Sequence, residues 1–277
     1  MPKLVDSSAP ADHMPHPVRL AILVAGTWVV EVSGYLGQLG LLISQGVRGC
    51  FTKPRRARAA VYEVLKIGNQ SLFIVSICAL FIGIVLALQS AYQMQRLAAE
   101  IYIASLVSLS VVREIGPVLT ALIVAGRVGS SIAAELGTMK VTEQIDALET
   151  MAVDPVKFLV VPRLLGGLIA LPLLTLWADA LGILGGFLIG TIKLGLLPSL
   201  YWRMSTMPLV FKDLASGLLK SCVFGVIIAA VSCLEGFRTE GGAEGVGRST
   251  TRAVVSSFLF ILLADCMFTA FFYFMWK

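Results

Sequence analysis

Five long apolar runs constrain this chain more than any other feature of its sequence. They cover residues 71–94, 101–126, 161–190, 218–236 and 253–276. Each run is close to the ~20 residues that an α-helix needs to cross the hydrocarbon core of a bilayer. Charged residues make up 14% of the chain and hydrophobic residues 57%, whereas soluble globular proteins carry about 25% charged residues. The sequence therefore predicts an all-α integral membrane protein with five transmembrane helices.

The region before the first run has a different composition. Residues 1–17 are rich in Pro, Ala and Ser, and we interpret them as a disordered leader that precedes a single transmembrane domain, residues 18–277. Residues 18–47 are apolar but are interrupted by one glutamate and two glutamines. This pattern favours an amphipathic helix at the membrane interface. A further span and a cleaved signal peptide are the alternatives.

The basic residues are distributed unevenly around the five runs. When the runs are threaded alternately through a membrane, fourteen Lys and Arg residues flank one side and six flank the other. Cytoplasmic flanks carry the excess of positive charge in membrane proteins, so the amino terminus is predicted to be cytoplasmic and the carboxyl terminus periplasmic. The net charge of +5 then needs no nucleic-acid partner, because the cations do not cluster on a polar domain.

Ionisable residues within the membrane are the first candidates for a functional site. Six lie within the apolar runs or near their ends: Arg113, Glu114, Asp179, Lys220, Glu235 and Asp265. A charge at the centre of a span costs about 2.5–3.5 kcal/mol, so these side chains are expected to face a cavity or a partner. Arg113 and Glu114 are consecutive and point about 100° apart on a helix. We expect one of them to pair with Asp265 and the other to face a pocket, with a purely structural ion pair as the alternative. No role is predicted for Asp179.

The polar segment of residues 127–158, between the second and third runs, shows helical periodicity. Apolar residues recur on one face, while Glu143 and Asp146 lie on another stripe. The Asp-Pro pair at 154–155 ends the helix. An ordinary amphipathic connector and a docking helix for a cytoplasmic partner both fit this pattern.

Glycine and proline mark three further features. The Gly-Pro pair at 116–117 is expected to weaken or kink the second span. Gly182, Gly186 and Gly190 form a stripe of small residues that allows another helix to approach closely, and we assign this stripe to packing. The Gly-rich residues 240–252 are predicted to form a flexible cytoplasmic turn, because they lack the lysine of a phosphate-binding loop.

Residues that support catalysis are scarce in the apolar part of the chain. The two histidines, His13 and His16, lie in the leader, which leaves no intramembrane histidine for a metal site or a catalytic triad. The sequence GLLKS at 217–221 lacks the glycines of a P-loop. We therefore predict no catalytic site and no metal site, and nucleotide is expected to bind a partner protein. The five cysteines show no paired spacing, so no disulfide is predicted.

Three stretches of the sequence resemble a known family. They are FIGIVLALQ at 81–89, VVREIGPVLTALIVAGRVGSSIAAELGTMKVTEQIDALETMAVDP at 111–155, and GVGRSTTRAVVSS at 245–257, followed by Asp265. These stretches resemble the MlaE/YrbE family, the permeases of MCE-associated ABC transporters that move phospholipids or related lipids. The resemblance implies a multi-pass permease subunit of an ATP-driven lipid transporter, which maintains the lipid barrier of the cell envelope from the bacterial inner membrane.

The same resemblance implies a set of partners. They are a second copy of the chain, a cytoplasmic ABC ATPase that holds ATP and Mg²⁺, a periplasmic MCE-domain protein and a lipid substrate. No cofactor and no enzymatic activity are then expected on this chain. A proton-coupled secondary transporter that works through Glu114 and Asp265, and an intramembrane enzyme that modifies lipids, are the alternatives.

Two groups of residues receive roles from the resemblance. A lipid pocket would include Arg113, Glu114, Lys220 and Asp265. Coupling to the ATPase would involve Glu135, Gly137, Met139, Thr142, Glu143, Gln144, Glu149 and Asp154. These coupling residues would lie on a cytoplasmic coupling helix, residues 135–154, seated in a groove of the ATPase. Because its ends join spans two and three directly, such a helix can transmit a rigid-body rotation.

Overall fold

The computed structural model of the chain describes residues 16–51, 57–96 and 99–275, and all regular structure in these residues is helical. The helices are α1 (His16–Phe51), α2 (Ala57–Gln95), α3 (Glu100–Val141), α4 (Gln144–Thr150), α5 (Val156–Ile192), α6 (Pro198–Thr206), α7 (Phe211–Phe237) and α8 (Gly242–Met275). Five of them, α2, α3, α5, α7 and α8, are long and apolar enough to cross a membrane. The predicted all-α membrane protein with five spans is confirmed.

The structure divides into two units, residues 1–41 and 42–277, and helix α1 belongs to both. Most of the predicted leader, residues 1–17, lies outside the described residues. Helix α1 begins at His16, so the last two residues of that leader are helical rather than disordered. The position of α1 at the membrane interface and the single transmembrane domain that follows the leader stay predictions.

Glycines bring α2, α5 and α7 into close contact. A side chain on Gly83 of α2 would overlap the carbonyl group of Gly182 on α5. A side chain on Gly167 of α5 would lie 2.5 Å from the carbonyl oxygen of Gly225 on α7. Helices pack through their backbones in this way where both present small residues. In the most apolar stretch of α5, 67% of the residues are buried, compared with 11% in α8, so α5 is central in its unit and α8 is peripheral.

The packing role predicted for the glycine stripe on the third span is confirmed. Gly182 lies against α2 and α3, and Gly186 and Gly190 lie against Tyr201 of α6. The Tyr201 side chain is buried, and its ring meets the Phe187 ring edge-on with 5.7 Å between the centroids. Helix α6 was not predicted from the sequence, because a helix of nine residues has too few turns for its periodicity to stand out.

The prediction of a flexible turn at residues 240–252 is wrong. The positive φ angles of this stretch are confined to Gly241 and Gly242, at +89° and +70°, and α8 already begins at Gly242. Ser249 and Ala253 are buried on the face of α8 that packs against α3 and α7. Tertiary packing therefore stabilises a helix that the intrinsic propensity of glycine disfavours.

Helix α3 is interrupted by two π-helical turns, at Val111–Ile115 and Ala125–Gly129. The first of them lies directly before Gly116 and Pro117, where the sequence predicts a weakened helix. Pro117 has no N–H to donate to the carbonyl oxygen of Arg113 one turn earlier. π-helical turns are frequent at functional sites, and this one carries two of the ionisable residues within the membrane.

Candidate functional site

Lys220, which is itself buried, lies at the centre of a cluster of polar side chains that are partly exposed. It belongs to α7, and its side chain is 1% exposed. Its Nζ lies 2.6 Å from Glu114 Oε2 on α3, to which it donates a hydrogen bond, and 2.9 Å from Asp265 Oδ1 on α8. The angles of the contact with Asp265 fall outside hydrogen-bond geometry, so this contact is an ion pair only. One ammonium group thus binds two carboxylates that come from two other spans.

Thr269 of α8 completes this cluster. Its hydroxyl accepts a hydrogen bond from Lys220 Nζ at 2.8 Å and donates one to Glu114 Oε1 at 3.1 Å. Lys220 Nζ also lies 3.4 Å from the carbonyl oxygen of Arg113, which Pro117 leaves without its usual donor. An ammonium group has three protons, and Glu114, Thr269 and this carbonyl oxygen are their three acceptors.

Arg113 pairs with Asp213, a residue that the sequence analysis missed. Its Nε and Nη2 atoms lie 2.8 and 2.7 Å from Asp213 Oδ1. The other carboxylate oxygen, Oδ2, accepts the backbone N–H of Val210 at 3.1 Å and so caps the start of α7. Asp213 is buried, while half of the Arg113 side chain is exposed. An acidic residue in the first turn of a helix is the sequence signal that could have located Asp213.

The expected pairing of Arg113 or Glu114 with Asp265 is wrong. Lys220 lies between Glu114 and Asp265 instead and forms an ion pair with each of them. The apolar run begins at residue 218, which would place Lys220 at the edge of the span, whereas α7 begins at Phe211. Lys220 therefore lies well inside the helix.

Local backbone geometry brings α7 close to α3 at this cluster. A side chain on Gly217 would overlap a carbonyl oxygen of α3, so the two backbones touch one turn before Lys220. The π-helical turn Val111–Ile115 lies at the same level. Both Arg113 and Glu114, which belong to that turn, reach residues of α7, although an ordinary helix would point them about 100° apart.

The cluster forms part of the lining of a cavity of about 560 Å³. The lining residues are Arg113, Glu114, Val210, Lys212, Asp213, Ser216, Lys220, Thr269, Phe272 and Tyr273. Charged side chains thus share the cavity with apolar surface from Val210, Phe272 and Tyr273. A ligand that carries both a charged group and an apolar part matches this lining. All four predicted pocket residues belong to the cavity or, for Asp265, to the ion pair beside it.

The predicted coupling helix, residues 135–154, is broken into two helices. Helix α3 ends at Val141 and α4 begins at Gln144. Glu143 lies between them with a φ of +58°, in the left-handed region. The sequence pattern suggested one helix because apolar residues that become buried occur on both sides of the break.

Three of the predicted coupling residues, Glu135, Gly137 and Met139, lie on the last turns of α3. Glu135 Oε2 is 3.1 Å from Lys66 Nζ on α2 and 3.1 Å from Arg163 Nη2 on α5. Arg163 is buried, so its charge requires this partner. Glu135 therefore links three spans at one end of the bundle, a structural contact that the motif did not indicate.

The other five predicted coupling residues are exposed: Thr142, Glu143, Gln144, Glu149 and Asp154. Asp154 Oδ1 accepts the backbone N–H groups of Val156 and Lys157 at 3.0 and 3.3 Å, so this residue caps α5. Lys140 Nζ lies 2.9 Å from Asp146 Oδ1 and ties α4 to the end of α3. Helix α4 and the residues before it thus form an exposed, mostly acidic surface between two spans.

Asp179, for which the sequence predicts no role, is buried in α5 with 5% of its surface exposed. Its Oδ1 lies against Gly116 of α3, where any side chain would overlap it. Among the residues that the structure describes, this oxygen has no hydrogen-bond partner. Gly116 therefore makes room for a carboxyl group inside the bundle.

The match to a family model covers nearly all of this region. Residues 60–271 match the model described as Permease MlaE. The chain belongs to the MlaE permease family. The resemblance found in the sequence is thereby confirmed. The matched residues of this MlaE-family permease include the Lys220 cluster, the surface around α4, and the cavity lining except for Phe272 and Tyr273.

Individual relatives support the same assignment for the permease. A probable ABC transporter permease of Rickettsia typhi is 43% identical over 252 residues, which cover 91% of this chain and 97% of the relative. The intermembrane phospholipid transport system permease protein MlaE of Haemophilus influenzae is 35% identical over 250 residues, or 90% and 96% of the two chains. The chloroplastic protein TRIGALACTOSYLDIACYLGLYCEROL 1 of Arabidopsis thaliana is 37% identical over 216 residues, or 78% and 62%.

Proposed function

We propose that this permease is the membrane subunit of an ATP-driven phospholipid transporter in a bacterial inner membrane, where it maintains the lipid barrier of the cell envelope. The cavity carries the proposal, because Lys220, Glu114 and Asp265 form a charged cluster beside the rings of Phe272 and Tyr273. A phospholipid has a charged head group and apolar acyl chains, so both of its parts find complementary surface there. The relative in H. influenzae is named for phospholipid transport, which supports this substrate class.

In this proposal ATP hydrolysis takes place on a separate cytoplasmic ATPase, which binds ATP and Mg²⁺. The R. typhi relative is named as an ABC transporter permease, which supports such a partner. The exposed side chains of Glu143, Gln144 and Glu149 would contact the ATPase. Movement of α4 would pass to α3 and α5, which flank it, as a rigid-body rotation.

A second copy of the chain and a periplasmic MCE-domain protein complete the proposed transporter. Helix α8 exposes large apolar side chains, among them Leu259, Leu263 and Phe271. The same helix contributes Thr269 and Phe272 to the cavity. A second copy packed against α8 would separate the cavity from the surrounding lipid. The amino terminus would lie in the cytoplasm and the carboxyl terminus in the periplasm, as the distribution of Lys and Arg suggests.

The variants Glu114→Gln and Asp265→Asn test the pocket. Each removes one negative charge and keeps the size of the side chain, so the purified dimer and its ATPase should assemble normally. Phospholipid that copurifies with the complex, measured by mass spectrometry, should fall relative to wild type, and the barrier of the outer membrane should weaken in cells. Glu244→Gln, an equal change at an exposed position of α8, is the matched control.

A purely structural role for the cluster would give a different result, since the yield of assembled complex would then fall in step with function. Normal lipid content and normal transport in both variants would contradict the pocket assignment. The proton-coupled alternative is separable as well. Transport that continues without ATP but stops when the proton gradient is removed would contradict the ATP-driven proposal.

A further inference from the structure

A second charged groove lies where the end of α1 meets the start of α5. Its volume is about 360 Å³, and it is lined by Gln45, Arg48, Gly49, Asp154, Val156 and Lys157. All six residues belong to the same unit of the structure, residues 42–277. None of them lines the cavity around Lys220, so the groove is a separate feature of the fold.

Close packing holds the two walls of this groove together. A side chain on Gly46 of α1 would overlap the side chain of Leu164 on α5. A side chain on Gly49 would lie 2.7 Å from Val161 Cγ2 and 3.5 Å from Lys157 Cγ. The exposed Arg48 projects from the turn between these two glycines. The cation is therefore carried on a helix that is packed directly against its neighbour.

Arg48 is the charged residue of the groove that is most available to a ligand. Asp154, the one acidic residue of the lining, accepts two backbone hydrogen bonds at the start of α5, and its Oδ2 lies 3.5 Å from Lys157 Nζ. More than half of the Lys157 side chain is exposed. Within the described part of the chain, no ion pair involves Arg48.

We propose that this groove binds the phosphate group of an anionic phospholipid, such as phosphatidylglycerol, from the cytoplasmic leaflet. Arginine and lysine bind phosphate through charge-assisted hydrogen bonds, and basic pockets between helices on the cytoplasmic side are suited to anionic head groups. Val47, which precedes Arg48, is exposed and apolar, so the head group would sit beside a surface that tolerates acyl chains. The groove would hold this lipid as a stationary ligand, outside the proposed transport pathway.

Photo-crosslinking tests this site directly. The permease, assembled with its ATPase in phosphatidylcholine nanodiscs, is supplied with phosphatidylglycerol that carries a diazirine close to the head group, and crosslinked peptides are mapped by mass spectrometry. Wild type should crosslink within residues 42–51 and 154–164. Arg48→Gln and Lys157→Gln should each lower this yield by about fivefold, because each cation near a membrane surface contributes about that factor to binding. A phosphatidylcholine probe with the same diazirine should crosslink there only weakly.

The matched control is Lys193→Gln with Arg203→Gln, which removes two exposed cations after α5 and on α6, and should leave the yield unchanged. Glu114→Gln should also leave it unchanged, which separates this site from the proposed transport pocket. Equal crosslinking in wild type and in Arg48→Gln/Lys157→Gln would overturn the proposal. The proposal would also be overturned if inorganic phosphate suppressed the crosslink as effectively as unlabelled phosphatidylglycerol, because the ligand would then be free phosphate. Loss of the ATPase from the double variant with unchanged crosslinking would assign the groove to that protein instead.

Discussion

At the scale of single residues, Lys220 has the greatest influence on the charged cluster. Its ammonium group pairs with both Glu114 and Asp265, which come from two different spans. Removal of one partner from a fully buried ion pair costs about 3–5 kcal/mol, and the cost here should be smaller because Glu114 and Asp265 are partly exposed. The hydroxyl of Thr269 is exposed, so water can replace its hydrogen bonds and its loss should cost about 1 kcal/mol. The charge of Lys220 should therefore matter more for stability than the hydroxyl of Thr269, although both contact Glu114.

Two substitutions separate these contributions. Lys220→Met leaves two carboxylates close together without a cation, and we expect it to lower the free energy of unfolding by about 1.5–3 kcal/mol, the range for hydrogen bonds to charged groups. Thr269→Val keeps the ion pairs and should lower it by about 1 kcal/mol. Both values can be measured by denaturation of the purified permease in detergent. Equal destabilisation by the two variants would show that the ammonium charge is not the dominant contribution.

Asp179 and Gly116 are in close contact, and this contact leads to a second prediction. A buried carboxyl group without a cation beside it gains little from its charge, so Asp179→Asn should change the unfolding temperature only slightly. Gly116→Ala would drive a methyl group into Asp179 Oδ1 and should destabilise the permease by about 1–3 kcal/mol. Combining Gly116→Ala with Asp179→Ala should recover part of that loss, and a failure to recover any of it would contradict direct contact as the cause.

At the scale of the element, the break between α3 and α4 separates backbone effects from charge effects. Glu143 has a φ of +58°, and a non-glycine residue in this conformation costs about 1–2 kcal/mol. Glu143→Gly should relieve that strain while removing the charge. Glu143→Lys keeps the strain and reverses the charge, so it should reduce ATPase copurification or stimulated hydrolysis more strongly than Glu143→Gly. Wild-type association and activity in Glu143→Lys would contradict the role of this surface in coupling.

The elements differ in how far the sequence could predict them. The five spans were predictable because bilayer thickness demands a long apolar run for each of them. The break at Glu143 was not predictable, because the residue is neither glycine nor asparagine and the apolar periodicity continues beyond it. The start of α8 was missed for the opposite reason, since the glycines of residues 240–252 disfavour a helix that packing against α3 and α7 stabilises.

Some residues of the candidate site could be singled out from the sequence, but their contacts could not. Arg113, Glu114 and Asp265 stand out as ionisable residues in apolar runs, and Lys220 stands out near the end of another run. Which residues pair depends on the rotation of each helix about its axis, and a π-helical turn changes that rotation at Arg113 and Glu114. No regular helical pattern predicts this change, so the partner Asp213 was overlooked.

At the scale of the whole molecule, the distribution of Lys and Arg predicts the orientation in the membrane. In a cysteine-free background, Glu244→Cys should be shielded from an impermeant thiol reagent added to the periplasmic side, and Ser199→Cys should be labelled. Both positions are exposed. We place the cysteine at Glu244 and not at Gly242, because the backbone of Gly242 has a φ of +70°, a conformation that would be strained with a cysteine side chain. The opposite labelling pattern would reverse the proposed topology.

The ion pairs of Lys220 join three spans that the ribosome synthesises at different times. Glu114 enters the membrane 106 residues ahead of Lys220, and Arg113 enters 100 residues ahead of Asp213. During that interval the second span carries two charges whose partners have not yet been translated, so it should remain beside the insertion machinery. Arrival of α7 supplies the cation and the anion together, and Asp265 follows last. Release of the nascent permease into the bilayer is therefore expected to wait for the fourth span.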